Sequence, residues 1–189
     1  LNQGVRRAWF SKEAGLGSSP IAHSAATTSE PVREGAVALL EPFVDTVVIC
    51  TMTALVILLS GAWTGDATGV DLTAIAFDHA LPGFGGIFVP IAVSLFAYST
   101  LLSWSYYGEQ AVSYLAGEKS VFFYKILFCI AAVLGALWSV GPILDFSDMM
   151  LGLMVIPNLL AVLLLAPKLR KEVNNYFGKL KRGEFKIHK

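Results

Sequence analysis

Charged side chains are scarce in this sequence. Asp, Glu, Lys and Arg make up 15% of its 189 residues, where a soluble domain carries about 25%. With 55% hydrophobic residues and a mean hydropathy of +0.63, the deficit places most of the chain in lipid. No excess of one sign exists either: 14 basic residues balance 14 acidic ones, so nothing points to nucleic acid. Cysteine is nearly absent. Cys50 and Cys129 each sit inside an apolar run, which excludes a disulfide framework and a metal-ligand spacing. His23, His79 and His188 lie far apart and outside those runs, so no metal cluster or triad suggests itself. The stretch AGLGSSP lacks the Lys of a phosphate loop and follows no strand, which leaves a helix end or turn. The N-terminus, LNQGVRRAWF, has neither an initiator Met nor a signal-peptide pattern. We read the chain as the C-terminal piece of something longer.

What is present in quantity is long apolar helix. A hydrocarbon core of about 30 Å needs roughly 20 such residues. Four stretches qualify: about 37–62, 87–107, 121–140 and 149–166. Gly141-Pro142, in GPILDFSD, supplies a break between the third and fourth. The expected fold class is therefore all-α transmembrane. Residues 1–167 form the membrane part and 168–189 a basic tail. Within the long connection between the first and second spans, DLTAIAFDHAL reads as a short amphipathic helix closed by Pro82-Gly83, either a lid or a covered loop.

Lys and Arg set the direction. Arg6, Arg7, Lys12 and Arg33 precede the first span, and no Lys or Arg occurs between the first and second. The next connection holds Lys119 and Lys125, the one after holds none, and the tail KLRKEVNNYFGKLKRGEFKIHK is strongly basic. Basic and non-basic connections alternate at every crossing. Both ends of this chain are expected on the cytoplasmic side of the plasma (inner) membrane.

The carboxylates fit helix ends better than a buried site. Asp45 lies near the inner end of span one, where capping or pairing with Arg33 explains it, and Glu41-Pro42 reads as the helix entry. Asp145 and Asp148 flank the outer mouth of spans three and four. Pro157 interrupts the backbone bonding of span four, and Asn158 is placed to satisfy what it frees.

The second span holds the polar groups that do need explaining. FAYSTLLSWSYYGEQ (96–110) carries seven hydroxyls, although an unpaired polar group in hydrocarbon costs several kcal/mol. At helical spacing Phe96, Ser99, Thr100, Ser103, Trp104 and Tyr107 share one face, with Leu95, Ala97, Leu101 and Leu102 opposite. Such a stripe either bonds neighbouring helices or lines a polar cavity. An adjacent Ser-Thr pair offers the hard oxygen ligands a sodium ion takes, aided by a backbone carbonyl. It does not suit Zn²⁺.

Several blocks, in this order, resemble the alanine or glycine:cation symporter family, also called the sodium:alanine symporter family. They are WFSKEAGLGSSPIAHSAATT, PVREGAVALLEPFVDTVVICTMTALVILLSG, FAYSTLLSWSYYGEQ and GLMVIPNLLAVLLL. The family has SNEAG where this chain has Ser11-Lys12-Glu13. The resemblance implies a leucine-transporter-like architecture of two inverted five-helix repeats, with these spans the last four of the second repeat. A preceding broken helix would end near Phe10. It also implies that Thr100 and Trp104 line the amino-acid pocket, and that Ser99, Thr100 and the Phe96 carbonyl hold sodium. The implied activity is sodium symport of a small neutral amino acid, alanine or glycine. No enzymatic chemistry and no cofactor beyond the coupling ion are expected, and the partners are substrate, sodium and the lipid bilayer. Proton coupling, a channel or a purely structural bundle are the alternatives. A membrane enzyme would need an ionisable constellation within the spans, which the sequence lacks.

Overall fold

The computed structural model describes Gly4, Glu13 and residues 15–185. Arg6, Arg7, Phe10, Ser11, Lys12 and His188 lie outside the described residues. In chain order the helices are α1 (Ser19–His23), α2 (Pro31–Ala38), a turn Leu40–Pro42 opening into a π-helical stretch Phe43–Cys50, α3 (Thr51–Ser60), α4 (Gly69–Ala80), α5 (Gly85–Ala116), α6 (Glu118–Leu137) and α7 (Val140–Lys181). Among the described residues no strand occurs. Four segments are long and apolar enough to cross a membrane: Pro31–Ser60, Gly85–Ala116, Glu118–Leu137 and Gly141–Lys181. They contain the cores of the four expected spans, and three of them run well past the expected ends.

The chain divides into two compact units, Leu39–Gly108, and Leu1–Ala38 with Glu109–Lys189. In the first, the π-helical stretch replaces the plain helix that the apolar pattern suggests. Its i→i+5 bonding widens the helix, and the Thr51 hydroxyl donates to the Thr46 carbonyl at 3.4 Å. Helix α3 stops at Gly61, whose φ of 71° only glycine adopts without strain. A single 3₁₀ turn, Ala62–Thr64, follows. The amphipathic pattern then becomes α4, which packs back against α3, with Ala76 fully buried.

In the second unit, α6 and α7 are joined only by Trp138 and Ser139. The chain break thus falls before Gly141-Pro142. Pro142 sits in the first turn of α7, where its missing N–H has no partner to lose. Asp145 and Asp148 are helical, and Asp148 is buried. Helix α7 continues through Pro157 and Pro167 and into the basic tail, 42 residues without a break. Residues 168–181, the start of the expected basic tail, are therefore helical and continuous with the helix of the fourth span.

This unit is tied together by polar contacts from distant parts of the chain. Asn158 Nδ2 donates to the Gly15 carbonyl at 2.9 Å, so its partner is this loop and not the helix carbonyl that Pro157 frees. The loop turns through positive φ at Glu13, Gly15 and Gly17. Ser18 Oγ donates to Glu13 Oε2 at 2.5 Å, and both Leu16 and Ser18 are buried. Lys179 Nζ meets Glu30 at 2.8 Å, and the Arg33 guanidinium lies 5.1 Å over the Phe185 ring. His23 Nδ1 and Glu34 Oε1 are 2.7 Å apart. Lys125 pairs with Glu109 at 2.9 Å, across the turn at Gly117.

Candidate ion and substrate site

Helix α5 begins with Gly85-Gly86, and its first free amides are bound by a residue of the preceding helix. Asp78 Oδ1 accepts from Gly85 N at 2.7 Å and from Gly86 N at 3.2 Å. A carboxylate at this helix end also complements the dipole. Pro90, a turn later, cannot donate to the carbonyl four residues back, and Ser94 Oγ donates to the Pro90 carbonyl at 2.8 Å.

From there the hydroxyl stripe runs down an unbroken helix. Ser99 Oγ donates to the Phe96 carbonyl at 2.9 Å, and Ser103 Oγ to the Ser99 carbonyl at 3.0 Å. The serines therefore satisfy themselves on their own backbone, which removes the cost of placing them in lipid. The same geometry brings two expected ion ligands together, the Phe96 carbonyl and the Ser99 hydroxyl. The Ser99 hydroxyl keeps both lone pairs after donating, whereas the Phe96 carbonyl accepts from Ser99 and from the helical amide four residues on, so the unbroken helix leaves it no spare lone pair. Thr100 lies one residue on, and Trp104 a further turn along the same face. Trp104 packs edge-on against Tyr107, ring centroids 5.8 Å apart at 71°. Phe96, Ser99 and Thr100 are exposed, and Trp104 is half-buried. The stripe offers neutral oxygen and an aromatic wall, with no acidic or basic residue between Ile87 and Tyr107.

Asp78 carries no role in the sequence reading, and Asn158 takes a partner other than the local one expected. Asp78 had a usable signal: an acidic residue shortly before a Pro-Gly turn and a glycine helix start. Asn158 had none, since its partner Gly15 lies 143 residues away.

Residues 1–189 match the sodium:alanine symporter family. Among curated proteins, the chain is 44% identical to the sodium/alanine symporter AgcS of Methanococcus maripaludis, over 97% of this chain and 41% of that protein. It is 38% identical to the probable sodium/glutamine symporter GlnT of Bacillus subtilis, over 97% of this chain and 39% of that protein. It is 34% identical to the amino-acid carrier protein AlsT of the same organism, over 95% and 39%. The chain thus spans about two fifths of the length of these relatives. No solved structure matches it.

Proposed function

Because the chain belongs to the sodium:alanine symporter family, we propose that it is part of a secondary active transporter carrying alanine or glycine across the plasma membrane by sodium symport. The observation that carries this reading is the stripe on α5, where neutral oxygens and one large aromatic stand in line on a membrane-length helix. Ser99, Thr100 and the Phe96 carbonyl contribute ligands to sodium. Thr100 and Trp104 face the amino acid, and Trp104 limits the size of its side chain. The first half of the site comes from residues outside this chain, in a leucine-transporter-like arrangement of two inverted repeats.

No bond is made or broken in such a cycle. Sodium and amino acid stabilise one occluded state, each raising the other's affinity, and the surrounding helices rearrange about the fixed site. On this reading both ends of the chain lie in the cytoplasm and residues 61–84 outside, which the alternation of basic connections supports.

Uptake of labelled alanine by the full-length parent, with and without sodium, tests the reading. Sodium-dependent accumulation supports it, and uptake indifferent to sodium removes it. For orientation, a single Cys at Asp66 should react with an impermeant thiol reagent from outside, and one at Lys119 should not. The background for both lacks Cys50 and Cys129.

A further inference from the structure

The geometry points to α4 and the start of α5 as one rigid piece, with Asp78 the positioning residue that joins them. The connection outside the membrane therefore does not open and close over the ion helix; it travels with it. This rests on the transport reading above and adds to it which parts move together.

Several independent features make the joint stiff. Asp78 Oδ1 takes two α5 amides at once, at 2.7 and 3.2 Å. The two backbones also meet without an intervening side chain. A Cβ on Gly85 would stand 2.1 Å from the Ala74 carbonyl oxygen and 2.7 Å from the Asp78 nitrogen. Gly85, Ala76 and Val89 are buried around that contact. Phe88 reaches back to Phe84 at 4.7 Å and to Phe77 at 6.1 Å between ring centroids. The turn itself is hydrogen-bonded throughout: Leu81 N to the Phe77 carbonyl at 2.8 Å, Phe84 N to Leu81 at 3.0 Å, and Phe88 N to Phe84 at 2.8 Å. At the other side of α4, His79 Nδ1 stands 3.2 Å from the Ser60 carbonyl.

A lid needs a lightly packed joint with few buried contacts and exposed backbone bonds. The turn residues Leu81, Phe84 and Phe88 are exposed, but the joint itself is close-packed at Ala76, Gly85 and Val89 and doubly bonded to Asp78. Asp78 fixes where α5 begins, and Ser99 lies 14 residues beyond Gly85, about 20 Å along the helix. A displacement of α4 is therefore transmitted to the depth of the ion ligands.

Two measurements on the full-length parent decide the matter. In the unmodified protein, the Gly85 and Gly86 amides should stay protected from hydrogen exchange by about a hundredfold or more in the ligand-free, sodium-bound and sodium-plus-alanine states. Protection below about tenfold in any of them overturns the rigid joint. Asp78→Ala should release both amides, whereas Asp78→Asn, which keeps Oδ1, should not. Release by neither variant removes Asp78 from the joint. In the second measurement, Phe77→Cys and Phe88→Cys are bridged by a short bifunctional thiol reagent, with Cys50 and Cys129 replaced. Uptake should remain within about twofold of the same protein unbridged, whereas a gating lid would lose about tenfold or more. Should the parent show no sodium-dependent uptake, the transport reading falls, and the exchange measurement still decides the joint.

Discussion

The joint at Gly85 and the stripe at Ser99 sit on one helix, about four turns apart, and differ in their packing and bonding. At the joint, backbone meets backbone, a carboxylate binds two amides and no atom can be added. At the stripe Ser99, Thr100 and Ser103 are exposed, and the two serines bond to their own helix. The first arrangement holds a shape. The second holds unused bonding capacity, which is what a ligand requires. The contrast separates residues whose loss costs the fold from those whose loss costs only binding.

The strongest way to break the contrast is Gly85→Ala. Its methyl group has no room against the Ala74 carbonyl, so the helices must part, and overpacking of this kind costs about 1–3 kcal/mol or more. We expect poor membrane expression or a clearly lowered unfolding temperature in detergent. Gly86→Ala is the sharp control: its nearest neighbour is Asp78 Oδ2 at 3.7 Å, so stability should be kept or slightly raised.

Next come Ser99→Ala and Thr100→Ala, which should do the reverse. Each removes a ligand oxygen from a site without a carboxylate on its helix. Losing a hydrogen-bonding contact to a charged group costs about 1.5–3 kcal/mol, and 1.4 kcal/mol is a decade. Apparent sodium affinity in an uptake assay should fall about tenfold or more, with unfolding unchanged. Substrate affinity should fall at low sodium and recover in part at high sodium. Ser105, on the opposite face, should tolerate Ala. Unaltered sodium dependence in both variants would return the stripe to helix packing.

Gly17→Ala extends the comparison to the second tight corner. Gly17 has φ of +85°, and a Cβ there would lie 2.9 Å from Asn158 Oδ1. The left-handed conformation alone costs about 1–2 kcal/mol for an L-residue. Combining it with Asn158→Ala relieves the contact but not the φ, so the double variant should be less destabilised than the sum of the singles. Additive losses, measured by thermal unfolding, would deny that the two residues touch.

The smallest effect belongs to Glu30→Gln. Its partner Lys179 is about one-third exposed, and solvent screens such pairs. The change should be barely visible at physiological salt and largest at low ionic strength.

How far the fold was legible follows from the range of the forces involved. Apolar runs needing a lipid core located all four spans, because that signal is local and about 20 residues long. Two of the helices run on past the end of the apolar signal. Charged and polar residues terminate hydropathy but not helix, so α5 continues to Ala116 and α7 to Lys181. Periodicity found α4 and the stripe. It gave no sign that the stripe's serines would bond to their own backbone, since that depends on rotamers. Gly141-Pro142 marked the right region and the wrong residue, because proline is as well suited to starting a helix as to ending one. Asn158 was read as a local repair, and its actual partner came from the other end of the chain.

Helix α7 makes the protein a lever. Its 42 residues measure about 63 Å at 1.5 Å each, twice the hydrocarbon thickness of about 30 Å. With the expected span at 149–166 in the lipid, residues 167–181 would reach about 22 Å beyond it as an arm. A tilt of about 10° within the bilayer, small for a spanning helix, sweeps the far end sideways by about 4 Å. The Lys179–Glu30 contact hands that sweep to the residue just before α2, where the first span begins. A spectroscopic label at Lys181 would read motions of the membrane-embedded half, magnified.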